Sequence, residues 1–117
     1  MTALRSTSAF SEEWIPISET TEGMTYYDVN SMKSRENWIT VVTMIDLNSN
    51  QMGILSRQTH LEIECNEDRY RILRQTLFEE NMGNGTGYST TFGNTAKFLA
   101  LDGRRNILEL AGELCSK

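Results

Sequence analysis

Apolar and polar positions alternate most cleanly between Trp38 and Leu47. Ile39, Val41, Ile45 and Leu47 point one way, with Thr43 among them; Trp38, Val42 and Met44 point the other. Apolar groups on both faces predict a central strand over 37–47 that is covered on both sides. Asn48-Ser49-Asn50 reads as the turn that follows. In the next segment Leu61, Ile63 and Cys65 alternate with His60, Glu62 and Glu64, a half-buried strand over 55–65 with the cysteine on its dry face. Upstream, Tyr26 and Tyr27 favour a strand over 24–29, broken by Asn30-Ser31. Trp14-Ile15-Pro16-Ile17 is an apolar anchor at an edge, because Pro16 cannot donate to a ladder. A short apolar run predicts a last strand over 97–101. The period then changes to 3.6: Ile107, Leu110, Ala111 and Leu114 share a face, which predicts a helix over 104–115, weakened by about 1 kcal/mol at Gly112.

Residues 67–80 fit two periods. As a helix, Asn66 caps it, Glu67 and Asp68 occupy its first turn, and Tyr70, Leu73 and Leu77 share a face. As a strand, Tyr70, Ile72 and Phe78 share a face with Arg74 and Thr76, and local preference leans to the helix. Residues 81–95 carry Gly83, Gly85, Gly87 and Gly93 and read as a turn with at most a short strand near Tyr88–Phe92. The Ser- and Thr-containing residues 1–13 read as a flexible lead-in to a single domain over 14–117.

Length and charge narrow the function classes. A chain of 117 residues supports one core with a thin stability margin. Its net charge of −5 is spread along the chain, and the small basic group Arg69, Arg71 and Arg74 sits among acids. Nucleic-acid binding draws its affinity from a clustered basic footprint, so it is disfavoured. No apolar run reaches membrane-spanning length, and residues 1–13 lack the apolar core of a signal peptide, so Met1 is expected to start a mature protein. Two cysteines fit one disulfide, or two unrelated buried thiols, equally well.

Candidate chemistry is sparse. His60, Glu62 and Glu64 share a strand face, and such a set could hold zinc or manganese; a solvated polar face explains it better, because no fourth ligand is identifiable. Cys65 and His60 fall on opposite faces, and a helix C-terminus disfavours a thiolate at Cys115, so a thiol nucleophile is disfavoured. Gly83–Gly87 lacks the spacing of a nucleotide loop. No cofactor and no catalysis are expected. Trp14, Tyr26, Tyr27 and Tyr88 are the side chains best suited to contact a protein partner, while Trp38 is expected in the core.

The order of parts resembles the surface-adhesin protein E family of Gram-negative bacteria. The resemblance is carried by Trp14, Tyr26-Tyr27-Asp28-Val29, Trp38, Cys65, Arg69, Phe78, Gly83, Gly103 and Glu109 through Cys115. Phe98 stands near a tryptophan position of the family, and Asp102-Gly103-Arg104 replaces its usual turn. The resemblance implies an α+β fold: an antiparallel sheet, here of about five or six strands, with a C-terminal helix packed on it. It therefore selects the strand for 69–79. It also implies a Cys65–Cys115 disulfide, a periplasmic or outer-membrane location, and a protein partner such as a host matrix or serum protein. Membrane attachment is expected only through a lipid anchor that this chain lacks. A structural role in the envelope is the alternative, and a small metal-dependent enzyme around His60 a distant one. The strip Trp38, Val42 and Met44 needs a cover, from the helix or from a second subunit, and a homodimer is expected.

Overall fold

The structure is a computed structural model that describes residues 12–115. Most of the expected lead-in, 1–11, lies outside the described residues. Glu13 is already tied down: its N–H donates to Asp28 Oδ1 at 2.9 Å and its carbonyl accepts from Val29 N at 3.1 Å.

Among the described residues eight strands and one α-helix follow in order: β1 (Trp14–Glu19), β2 (Gly23–Asp28), β3 (Lys33–Arg35), β4 (Trp38–Gln51), β5 (Ile54–Glu64), β6 (Arg69–Phe78), β7 (Gly87–Thr91), β8 (Leu99–Ala100) and α1 (Arg105–Cys115). They form one antiparallel sheet in the order β1-β2-β4-β5-β6-β7. Short β3 pairs with the start of β4 beside β2, and β8 pairs with the start of β6. Gly23 permits β2 to lie against β4, since a Cβ there would stand 2.0 Å from the Asp46 carbonyl oxygen.

The helix packs on one face. Ile107, Leu110, Ala111 and Leu114 meet Tyr27, Ile39, Val41, Leu61, Ile63 and Tyr70 in the core. Cys65 and Cys115 are joined, Cα–Cα 5.7 Å, which fastens the end of the helix to the turn after β5.

Two expectations change. The turn expected at Asn48-Ser49-Asn50 lies instead at Met52-Gly53, where both residues have positive φ (55° and 89°) and Gln51 faces Ile54. The hairpin runs past the core as an exposed ribbon, so the polar run marked exposure and not reversal. Asn50 still acts, two residues early: its Oδ1 accepts from Gly53 N at 2.8 Å. Residues 69–78 are a strand, but their faces are not as expected. A bulge between the pairs Leu61↔Ile72 and His60↔Arg74 inserts Leu73. Tyr70 and Ile72 therefore face the helix, while Arg74, Thr76 and Phe78 face away. The extra residue also explains why Tyr70, Leu73 and Leu77 mimic a helical stripe.

The central strand is covered unequally. Its helix side is buried from Ile39 to Leu47. On the other side the chain covers the strip piecemeal: the Phe98 ring lies 5.9 Å from Trp38, and Met44, 1% exposed, lies under the Asn81–Gly83 turn near Gly83. Val42 between them is half-buried.

Candidate functional site

The helix-free face of the sheet gathers most of the side chains with chemistry. Register aligns them in rows across β3, β4, β5 and β6. One row reads Arg35, Trp38, Glu64, Arg69; the next reads Lys33, Thr40, Glu62, Arg71; a third reads Val42, His60, Arg74. Cross-strand neighbours on one face sit close enough to interact directly. Arg69 Nε donates to Glu64 Oε1 at 2.6 Å and Arg71 Nε to Glu62 Oε1 at 2.7 Å. Phe98 lies over both guanidinium groups, whose Cζ atoms are 4.0 and 4.7 Å from the ring centroid. Such stacking is worth roughly 0.5–1 kcal/mol at exposed sites.

Beside this cluster is a cleft of about 480 Å³ lined by Lys33, Ser34, Arg35, Trp38, Thr40, Glu62 and Arg71. A second hollow, about 300 Å³, is lined by Val42, Gln58, His60, Arg74, Thr76, Phe78 and Ser89. Burial lowers the His60 pKa first, and the charges of Arg74 and Lys33 lower it further against the opposing pull of Glu62. The imidazole is therefore neutral at pH 7. His60, Glu62 and Glu64 do share a face, yet each carboxylate is engaged by an arginine. Among the described residues no group of three His, Cys, Asp or Glu is placed to hold a metal.

The four aromatic contact candidates separate. Trp14 and Tyr26 are half-buried on the helix-free face, as the pairings Trp14↔Asp28 and Pro16↔Tyr26 place them. Tyr27, 8% exposed, belongs to the core. Tyr88 is 53% exposed on β7, facing the helix side, and its hydroxyl donates to Glu79 Oε2 at 2.5 Å, which raises its pKa. Reading along the sequence missed Lys33, Arg35 and Phe98. The alternation Lys33-Ser34-Arg35 carried a signal for the first two; Phe98 reaches the site only through the path of the loop after β7.

The surface-adhesin protein E family model matches residues 14–99. The chain belongs to the surface-adhesin protein E family. The family's fold extends beyond the matched span. Crystal structures of Haemophilus influenzae protein E superpose with TM-scores of 0.69, 0.70 and 0.71 at 11–12% identity, covering 99–100% of this chain and 91–94% of theirs. At that identity the likeness is one of fold, and it includes α1 with Cys115. No curated protein matches the chain. Family membership makes this an adhesin-like surface protein, and no helix among the described residues is long and apolar enough to cross a membrane.

Proposed function

We propose that the chain is a non-catalytic binding domain, spanning 14–117, displayed in the periplasm or on the outer surface of a Gram-negative cell. In this reading it contacts a protein partner, of the host-matrix or serum class, through the helix-free face. Family membership carries the proposal. The Cys65–Cys115 bridge supports an oxidising compartment. Trp14 and Tyr26 supply aromatic contact area on that face, and any membrane attachment comes from a lipid anchor. The experiment is surface plasmon resonance of the full chain against purified matrix and serum proteins. Saturable binding is expected, with Trp14→Ala and Tyr26→Ala weakening it by roughly tenfold or more, as anchor residues do. Absence of saturable binding across the panel, or a cytosolic protein with two free thiols, overturns the reading.

A second reading, an envelope assembly protein that pairs with its own copy, draws on β7. Every residue from Gly87 to Thr91 is exposed, and this edge strand has no charge or proline to deter pairing. Light scattering at high micromolar concentration should then give twice the monomer mass.

A further inference from the structure

We infer that the cleft bounded by β3, Trp38 and Arg71 is a docking site for a sulfated polysaccharide. The inference stands apart from the protein-contact reading, which is carried by family membership and draws its contact area from Trp14 and Tyr26 of β1 and β2.

Charge is the first argument. The lining holds Lys33, Arg35 and Arg71 against Glu62, a balance of 3 − 1 = +2, in a chain whose net charge is −5. Glu62 is already neutralised by Arg71. Lys33 and Arg35 are exposed and make no ion pair among the described residues. They alternate on one strand, so their side chains leave the same face about 7 Å apart. The fold thus collects a local cationic surface that the sequence, read as a string, disperses.

The remaining lining selects the kind of anion. Trp38 offers a flat apolar surface, Thr40 offers a hydroxyl, and the cations match sulfate oxygens. A sugar ring presents a C–H face, hydroxyls and anionic groups together. The cleft's 480 Å³ exceeds what one inorganic anion fills and lies in the range of ligand-sized sites. An acidic peptide fits less well. Peptides bind sheet edges by adding a strand, and β3 offers only three residues before Glu36 turns the chain at φ 57°. A single-stranded nucleic acid binds by stacking successive bases on several aromatic side chains, and this lining holds one, Trp38.

The test is titration of the full chain with heparin, hyaluronan and poly-L-glutamate at several salt concentrations. Heparin should bind saturably and weaken steeply with salt. Lys33→Ala/Arg35→Ala should lower its affinity by about tenfold or more. Arg104→Ala/Arg105→Ala, which removes the same charge outside this cleft, should change it by less than about twofold. Unchanged circular dichroism of both variants shows that the fold is kept. Equal loss in the two variants, equal binding of poly-L-glutamate or hyaluronan, or no heparin binding at low salt each overturns the inference. None of these outcomes bears on whether a protein partner binds at Trp14 and Tyr26.

Discussion

His60 shows how a single residue takes its properties from the sheet. Its neighbours are set by register: Val42 across β4, Arg74 across β6, with Lys33 and Glu62 nearby. Burial and the two cations depress its pKa below the ordinary value of 6.5. Unfolded, the imidazole regains that ordinary value, so between the two pKa values the unfolded chain binds more protons. Stability from this residue is therefore present above about pH 6.5 and is lost as pH falls toward the folded pKa. His60 should titrate below pH 6.5 by NMR, and His60→Gln should flatten the decline in melting temperature between pH 7 and pH 5. An NMR pKa at or above 6.5 would contradict the placement of Arg74 and Lys33 around the ring.

Among the elements, the turn Asn81–Gly83 is held by contacts far away in sequence. Asp46 Oδ1 accepts from Asn81 Nδ2 at 3.0 Å and from Met82 N at 2.7 Å. Fully buried Ser56 donates to the Glu80 carbonyl at 2.6 Å and accepts from Gly83 N at 2.9 Å. This clamp seats the turn over Met44 and seals one end of the apolar strip on β4. Asp46→Ala should cost about 1–2 kcal/mol, toward the low end for bonds to a charged acceptor because Asn81 and Met82 are exposed. Hydrogen exchange should show the Met82 amide losing protection while the central β4–β5 ladder keeps its own. Unaltered exchange at Met82 would mean that something other than Asp46 holds the turn.

At the scale of the whole molecule the helix and sheet are linked twice, by the core and by the bridge. Cys65 and Cys115 are 50 residues apart in sequence. Closing a loop of that length stabilises a domain by roughly 2–4 kcal/mol, chiefly through the unfolded chain. Cys115→Ser should lower the melting temperature by roughly 10 °C or more. Non-reducing mass spectrometry of the native protein should find no free thiol. Two freely alkylated thiols would remove both the bridge and the strongest physical support for an extracytoplasmic home.

Strand positions near β4 and β5 and the span of α1 were legible from periodicity, because a half-buried strand or helix needs its apolar residues at a fixed local spacing; β2 was legible from the strand preference of Tyr26 and Tyr27. Ile39, Val41, Leu61, Ile63, Leu110 and Leu114 could be placed in the core on that ground alone. The cysteine count permitted the bridge without choosing it, and the family resemblance, now matched over residues 14–99, supplied the choice. Other features depended on partners distant along the chain. The bulge at Leu73 exists because β6 must keep register with β5 on both sides of it, and no local pattern in β6 records its partner's register. The hairpin reverses at Met52-Gly53, beyond a register shift between the pairs Asp46↔Ser56 and Gln51↔Ile54, and no local pattern in 47–51 records that shift. The site itself is tertiary in origin: Lys33, Arg35, Trp38, Arg69, Arg71 and Phe98 come from three strands and a loop. Charge and ring stacking act through space, so only the sheet that aligns those strands could bring them to one face.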